Sequence, residues 1–269
     1  TLYRGNFGNQ QSSPSSITVD RANNRALVAD IDSRSVFAID LANGDLSTLA
    51  DDYNGAGPRL DFPDSIVFDN ANKRALVMDS GIEALVELDL ATGDRMILSD
   101  SNTGAGTSFR APASIALDHA SNRGLVVDYN LQALVAIDLA SGDRTIISDS
   151  DNGRGINFSH PRSIALDSAS KRALVADEHL SAVLAVDLAS GDRAIVSNSD
   201  TGTGANFDEP IAIIPDSANK RVLVLDQALP AVFAVDLASG DRTIVSGSNN
   251  GTGTNFSDPR SIALDSAND

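Results

Sequence analysis

The stretch Pro161-Arg162-Ser163-Ile164-Ala165-Leu166-Asp167 decides the fold, because versions of it return at a fixed interval along the chain. Six prolines open these versions, each 49 residues after the one before: Pro14, Pro63, Pro112, Pro161, Pro210 and Pro259. A period of roughly 20 to 50 residues is the signature of a repeat architecture. The sequence therefore predicts one repeat domain over residues 1–269, with five complete repeats at 14–62, 63–111, 112–160, 161–209 and 210–258.

Each repeat contains four short apolar runs separated by polar turns. In the fourth repeat the runs are Ser163–Asp167, Arg172–Asp177, Ala182–Leu188 and Ala194–Ser197. They are rich in Val, Ile, Leu and Ala and bounded by Gly, Ser, Asn and Asp, which is typical of strands and turns. Four short antiparallel strands per repeat predict an all-β fold, a β-propeller, with each repeat forming one blade. A linear β-solenoid, the competing architecture, uses shorter repeats and capped ends.

The order of these runs resembles the six-bladed propellers of the YWTD, NHL and SMP-30/gluconolactonase groups. The resemblance rests on the first strand "PRSIALD", the second strand "RALVAD" in the place of YWTD, and the hairpin "VDLASGDRTIV". It covers essentially the whole chain, although Leu-Val replaces the aromatic pair of the YWTD signature. The resemblance implies the architecture and says little about activity, because this scaffold carries many functions.

The two ends of the chain predict how the ring closes. Thr1–Gly5 aligns with the fourth strand Thr243–Gly247, and Ser261–Asp265 aligns with a first strand. We therefore expect a six-bladed ring whose incomplete last blade combines residues 1–13 with 259–269. Its missing strands would come from the rest of a parent chain or from another chain. A five-bladed ring with two spare terminal strands is the alternative.

Composition narrows the class of partner. The net charge is −17, and only four of the 37 acidic residues are glutamates: Glu83, Glu87, Glu178 and Glu209. Such a surface repels nucleic acid and anionic membranes, so neither is expected as a partner. No apolar run approaches the roughly 18 residues of a membrane-spanning helix. The absence of Cys, the acidity and the start at Thr1 predict an extracellular or periplasmic protein, processed or excised from a precursor.

Positions filled alike in every repeat are interpreted as structural. We expect the aspartates that end strands one and two to accept backbone N–H bonds in adjacent turns. The Asp-Arg pairs after glycine are interpreted as turn and surface ion pairs. A phenylalanine three residues before each of four prolines is interpreted as a plug between blades. The aspartates that end strand one are Asp20, Asp69, Asp118, Asp167, Asp216 and Asp265, and those that end strand two are Asp30, Asp79, Asp128, Asp177 and Asp226. The Asp-Arg pairs are Asp94-Arg95, Asp143-Arg144, Asp192-Arg193 and Asp241-Arg242, and the phenylalanines are Phe109, Phe158, Phe207 and Phe256.

Function is expected where the repeats differ. The loops between strands two and three and the loops entering each first strand should share one face, around the mouth of the central channel, and loops on a rigid scaffold commonly carry binding residues. A histidine with acidic neighbours there could act as a general base or a metal ligand. The candidate binding-face residues are Asp64, Tyr129, Asn130, His160, Arg162, Glu178, His179, Asp208, Glu209, Gln227 and Arg260.

A divalent cation, Ca²⁺ or another, is the one cofactor that the sequence suggests. The SMP-30 resemblance implies a glutamate ligand before the proline of a first strand, and Glu209 is the only glutamate in that position. Glu209 is therefore the first predicted ligand, with Asn130 and Glu178 behind it. The loop Asp149–Gly153 offers two carboxylates and an amide, but lacks the distant bidentate Glu of an EF-hand. A plain turn is its alternative interpretation.

Three functions remain open from the sequence. The favoured one is a secreted or surface binding propeller whose variable loop face holds a protein, peptide, glycan or small molecule. The SMP-30 resemblance implies the first alternative, a divalent-metal-dependent lactonase or hydrolase. The second alternative is a structural segment of a longer repeat protein. No catalytic triad order, phosphate loop or paired-carboxylate motif stands out, so no reaction is assigned.

Overall fold

The computed structural model describes residues 12–264. These residues form five four-stranded antiparallel sheets, each built from four strands consecutive in the chain. The all-β propeller of four-stranded blades is thereby confirmed. The first blade contains β1 (Pro14–Asp20), β2 (Arg25–Asp30), β3 (Ser35–Asp40) and β4 (Leu46–Ala50), and the second contains β5 (Pro63–Asp69), β6 (Arg74–Asp79), β7 (Ala84–Asp89) and β8 (Arg95–Ser99). The third contains β9 (Pro112–Asp118), β10 (Arg123–Asp128), β11 (Ala133–Asp138) and β12 (Arg144–Ser148), and the fourth contains β13 (Pro161–Asp167), β14 (Arg172–Asp177), β15 (Ala182–Asp187) and β16 (Arg193–Ser197). The fifth contains β17 (Pro210–Asp216), β18 (Arg221–Asp226), β19 (Ala231–Asp236) and β20 (Arg242–Ser246).

Helical structure in the described part of the chain is limited to three single 3-10 turns between first and second strands: Arg21–Asn23, His119–Ser121 and Ser217–Asn219. No helix between residues 12 and 264 has the length and apolar character needed to cross a bilayer.

The blade number corrects the six-bladed expectation in favour of its five-bladed alternative. Residues 12, 13 and 259–264 form no strand, because a first strand needs a second beside it to pair its backbone and no described segment supplies one. Ser261 and Ile262 nevertheless line the central channel together with the five first strands. The expected fourth strand Thr1–Gly5 and residues 265–269 lie outside the described residues.

The core lies between the blades and explains why the strands are apolar on both faces. One buried cluster joins Leu76 and Leu85 of the second blade to Ile115, Val126 and Val135 of the third, and similar clusters join other neighbouring blades. Burying one such side chain contributes about 1.5–3 kcal/mol. Each sheet is therefore stabilised by its neighbours, as expected for a repeat array.

The aspartate that ends each first strand holds the turn that follows, as the sequence predicted. Asp69 is buried and accepts hydrogen bonds from Asn72 and from Nε of Arg74, at 3.0 Å. Burial alone would raise the pKa of Asp69, but the hydrogen bonds from Asn72 and Arg74 outweigh it, so the pKa is lowered. The pKa values of the equivalent aspartates are lowered in the same way: Asp20, Asp118, Asp167 and Asp216.

The arginines after the glycine turns are not surface ion pairs, which corrects the sequence interpretation. Arg144 is 5% exposed and reaches into the preceding blade, where it donates to Ser99 Oγ at 2.6 Å and to the carbonyl oxygens of Thr103 and Thr107. Its neighbour Asp143 accepts a bond from Ala105 N at 2.7 Å. Each Asp-Arg pair therefore clamps two blades together, and the same clamp is formed by Arg95, Arg193 and Arg242.

The phenylalanines complete this clamp. The guanidinium carbon of Arg144 lies 5.6 Å from the ring centroid of Phe109, and the later pairs Arg193–Phe158 and Arg242–Phe207 have the same spacing. These three rings are 2–6% exposed, so their role as plugs between blades is confirmed. Phe256, the fourth of the set, is 40% exposed.

Candidate functional site

The aspartate that ends each second strand brings two loops to one face. Asp177 is fully buried and accepts bonds from Ser159 N and His160 N in the loop entering the fourth blade. It also accepts a bond from Leu180 N in the loop between strands two and three. The predicted structural role of these aspartates and the shared face of the two loops are both confirmed.

A β-bulge at the start of each first strand aims one side chain at this face. Pro161 pairs with Asp177 and Ser163 with Ala176, so Arg162 between them has no partner in the ladder. Bulges commonly redirect a side chain at functional sites. The bulged positions are Ser15, Asp64, Ala113, Arg162 and Ile211.

These bulged residues converge at the channel mouth. They line a depression of about 110 Å³ together with Arg260, Ile31 and Gln227. Sequence reasoning selected Asp64, Arg162, Gln227 and Arg260 because they are unusual, but missed Ser15, Ile31, Ala113 and Ile211. The signal was present, since the residues directly after the six prolines recur at the same 49-residue interval.

Five of the predicted candidates meet where the third and fourth blades adjoin. We call Tyr129, His160, Arg162, Glu178 and His179 the mouth cluster. The rings of Tyr129 and His160 stack with their centroids 4.2 Å apart and their planes 4° apart. The ring of His179 contacts His160 edge to face. Because Tyr129 belongs to the third blade and His160 to the loop entering the fourth, the stack bridges two repeats.

Arg162 links the aromatic stack to an acid. Its guanidinium carbon lies 5.4 Å from the Tyr129 centroid, and its Nε lies 2.9 Å from Oε2 of Glu178. The side chains of Arg162 and Glu178 are 42% and 19% exposed. The Glu178 oxygen accepts no hydrogen bond of acceptable angle, so this contact is an ion pair without a directed bond. Arg162 therefore retains donors that can face the depression.

Two polar atoms of the mouth cluster are buried without a hydrogen bond, although buried polar atoms are usually paired. They are Nδ1 of His160 and Oε2 of Glu178. The main chain of this segment is satisfied, since His160 O accepts a bond from Glu178 N at 3.0 Å. The unmet hydrogen-bonding capacity of this segment therefore belongs to the two side chains and not to the main chain.

Asp64 is the acidic side chain of the depression. Burial raises the pKa of Asp64, and the neighbouring Asp79 adds to that rise. The hydrogen bond from Ser80 N, at 3.2 Å, and the charge of Arg162 offset part of the rise. Asp64 and Arg162 thus place opposite charges on the wall of one small depression.

Gln227 and Arg260 share one partner on the other side of the mouth. Gln227 Nε2 donates to Asp258, and Arg260 Nη2 donates to the same carboxylate at 2.9 Å. Both side chains line the depression with Arg162.

The remaining three candidates lie on the same face but outside these contacts. The backbone N–H groups of Asp208 and Glu209 bond to Asp226, and that of Asn130 bonds to Asp128. Their side chains are exposed.

The predicted metal site is not assembled as a ligand cluster between residues 12 and 264. No group of three or more His, Asp or Glu side chains in this range could hold an ion. In the loop Asp149–Gly153, Asp149 Oδ1 accepts bonds from the backbone of Asp151 and Asn152, which is the plain turn of the alternative interpretation. Coordination by Glu209, Asn130 and Glu178 stays a prediction.

Comparison with known proteins shows the fold and no more. No family model matches the sequence, and no curated protein matches it. A chain in the crystal structure of a nidogen/laminin complex superposes with a TM-score of 0.69 and 18% identity, covering 86% of this chain and 78% of that one.

Two proteins of Bacteroides thetaiotaomicron also superpose. A structural genomics protein of unknown function has a TM-score of 0.72 and 14% identity, covering 97% of this chain and 67% of that one. A protein described as an auxiliary nutrient binding protein has a TM-score of 0.71 and 14% identity, covering 95% of this chain and 65% of that one. The chain thus spans about two thirds of the length of each of these two proteins. At sequence identities this low, the structural similarity supports the assignment of the β-propeller fold and nothing about function.

Proposed function

We propose that this protein is a binding propeller whose channel mouth takes a small polar ligand, or a peptide end, that carries a carboxylate. The observation that carries the proposal is the setting of Arg162. A bulge aims this arginine at the depression, Glu178 and the Tyr129 ring hold it, and 42% of its side chain is exposed. A guanidinium held in this way is suited to bidentate binding of a carboxylate.

The aromatic stack supports the same proposal. Tyr129 and His160 form a stacked, partly buried ring surface next to the Arg162 guanidinium. A ligand lying there would contact an apolar wall on one side and charged donors on the other. Pockets that combine apolar surface with a few placed polar groups are typical of small-molecule sites.

The similar structures are consistent with a binding role. One is described as a nutrient binding protein and another belongs to a nidogen/laminin complex. From these two structures we infer only a general role, namely that this chain binds a partner outside the cell or at its surface. Membership of the YWTD, NHL or SMP-30 groups remains part of this proposal, and we assign no reaction to the chain.

A thermal-shift screen at fixed ionic strength tests the proposal. The probes are free amino acids, dicarboxylates and uronic acids. A ligand at 100 times its dissociation constant adds about 2.7 kcal/mol to the free energy of unfolding, which raises the melting temperature measurably. We expect at least one probe to do so for the unaltered protein, and the rise to disappear in Arg162→Ala and in Tyr129→Ala.

The matched control is Arg110→Ala, which removes an exposed arginine from the same loop face outside the depression. This variant should respond like the unaltered protein. A screen in which no carboxylate raises the melting temperature, or in which Arg162→Ala responds fully, would contradict the proposal.

A further inference from the structure

In each clamp between two blades, residues of the preceding blade bind the arginine of the next blade. We call the residues that bind this arginine its receptor. At the junction of the fourth and fifth blades, Arg242 donates to Ser197 Oγ at 2.7 Å, to Thr201 O at 3.0 Å and to Ala205 O at 2.7 Å. The ring of Phe207 lies beneath the guanidinium. Ser99, Thr103, Thr107 and Phe109 form the equivalent receptor for Arg144.

Two glycines in each receptor loop let the following turn approach. A Cβ added at Gly202 would lie 2.0 Å from Gly240 O, and one added at Gly204 would lie 2.1 Å from Arg242 O. Both glycines have positive φ, at 79° and 105°. The loop is thus shaped to hold a Gly-Asp-Arg turn in close contact.

The fifth blade repeats this receptor at positions 49 residues further on: Ser246, Asn250, Thr254 and Phe256. Its loop keeps one backbone bond of its equivalent, since Gly247 N donates to Asn250 O at 3.1 Å just as Asn198 N donates to Thr201 O at 3.1 Å. The return bond differs, because Asn250 N donates to Gly247 O, whereas Thr201 N donates to the Asn198 side chain. The side chains of a site for a fifth such arginine are therefore present, on a loop that keeps part of the equivalent backbone bonding.

This fifth receptor is open. Gly251 and Gly253 keep positive φ, at 91° and 122°, but a Cβ added at either would meet no atom within 4 Å. Phe256 is 40% exposed, whereas its equivalents are 2–6% exposed. Val245 of β20 is also 43% exposed. Among residues 12–264, no arginine occupies this site in the way that Arg242 occupies the one before it.

We propose that this face of the fifth blade, defined by Ser246, Asn250, Thr254 and Phe256, is a docking surface for a β-hairpin of another polypeptide that carries a Gly-Asp-Arg turn. Its arginine would donate to Ser246 Oγ and to the carbonyl oxygens of Asn250 and Thr254, above the Phe256 ring. Its aspartate would accept a bond from Thr252 N, as Asp241 accepts one from Thr203 N at 2.7 Å.

A second copy of the chain is a poor donor of this hairpin. The Gly-Asp-Arg arginines of blades two to five are all engaged within their own molecule and at most 7% exposed: Arg95, Arg144, Arg193 and Arg242. In the first blade Leu46 stands in the arginine's position. The donor must therefore present a free Gly-Asp-Arg turn.

A synthetic peptide of residues 182–197, the hairpin of β15 and β16 that contains Gly191-Asp192-Arg193, serves as the probe. Its binding to the full chain is measured by fluorescence anisotropy. We expect saturable binding that weakens by about tenfold or more when the peptide carries Arg193→Leu, because buried acceptors lose their charged donor. A similar loss is expected for Phe256→Ala in the protein, and a smaller one for Ser246→Ala.

Tyr53→Ala is the matched control, because Tyr53 is an exposed aromatic residue, 93% exposed, in a different loop between blades. This variant should bind the peptide normally. The proposal is overturned if no saturable binding occurs, or if binding is indifferent to Arg193→Leu and Phe256→Ala. It is also overturned if light scattering shows a dimer that Phe256→Ala dissociates, since the occupant would then be a second copy.

Discussion

Arg144 of the third blade donates a hydrogen bond to Ser99 Oγ of the second across 2.6 Å, and both residues are buried. The same guanidinium also donates to three carbonyl oxygens of the preceding loop, those of Thr103, Gly104 and Thr107. These contacts make a single arginine a principal link between neighbouring sheets. The propeller is thus held by charged clamps between the blades as well as by its apolar core.

Replacing Arg144 with Leu, the residue found at this position in the first blade, should lower the free energy of unfolding by about 3 kcal/mol, because buried acceptors lose a charged partner. Urea unfolding monitored by circular dichroism measures the change. Arg34→Leu is the control, since Arg34 is 57% exposed in its 3.1 Å pair with Asp61 and should cost well under about 1 kcal/mol. An equally small loss for Arg144→Leu would refute the clamp.

Acid should unfold the protein through the aspartates that end the first strands. The folded-state pKa of Asp69 is lowered below its ordinary value of 3.8 by hydrogen bonds that outweigh burial. The carboxylate therefore stabilises the fold fully above pH 3.8, and this contribution is lost as the pH falls through the lowered folded-state value.

The variant Asp69→Asn tests this dependence. The midpoint of urea unfolding should be lower for this variant than for the unaltered protein. The difference should be largest near neutral pH and should shrink as the pH falls below about 4. Asp151→Asn removes an exposed aspartate and should follow the unaltered protein at every pH. A deficit for Asp69→Asn that is constant from neutral pH into acid would show that ionisation is not involved.

Asp64 should behave in the opposite way, because burial raises its pKa in the folded state. Its ionisation destabilises the fold above the raised value, and the penalty vanishes below the unfolded value of 3.8. Asp64→Asn should therefore raise the melting temperature near neutral pH, with a gain that disappears in acid. Calorimetry from pH 7 to pH 4 measures it, and a gain that persists unchanged at pH 4 would contradict the assigned ionisation penalty.

The repeat pattern predicted the architecture well because each signal was local. Prolines at a fixed interval mark the first strands, and short apolar runs between polar turns mark the rest. The buried role of Asp177 could also be predicted, since short acids ending a strand commonly bind turn backbone. The number of complete blades could not be predicted, because it depends on pairing between segments far apart in sequence.

The burial of Arg144 was missed because an Asp-Arg pair after glycine looks like an exposed turn. The overlooked signal is that Arg144, Arg193 and Arg242 each follow a serine and a phenylalanine at constant distances. Arg95 is buried without it, because Ala50 and Leu60 stand at those two positions. In the mouth cluster, the sequence could single out Tyr129 and His160 by their difference from the other repeats. Their stacking depends on how neighbouring blades pack, and the aim of Arg162 depends on a bulge, which no local pattern encodes.

The predicted metal site has its own test. If Glu209 is a ligand, with Asn130 and Glu178, millimolar Ca²⁺ or Mn²⁺ should raise the melting temperature of EDTA-treated protein at fixed ionic strength. Glu209→Gln should abolish the rise, because it removes an anionic oxygen ligand. Asp151→Asn again serves as the control for non-specific charge effects, and an unchanged melting temperature in the unaltered protein would refute the metal site.

Hydrogen–deuterium exchange, measured with and without the carboxylate that binds most strongly in the thermal screen, locates the bound ligand on the propeller. We expect slower exchange in residues 129–132, 159–162 and 178–181, which contain the mouth cluster. Exchange in the turns at 119–122 and 168–171, at the opposite end of the strands, should not change. Protection confined to those turns, or to the loop at 246–258, would show that the ligand binds elsewhere and would contradict the assignment of the channel mouth as the binding site.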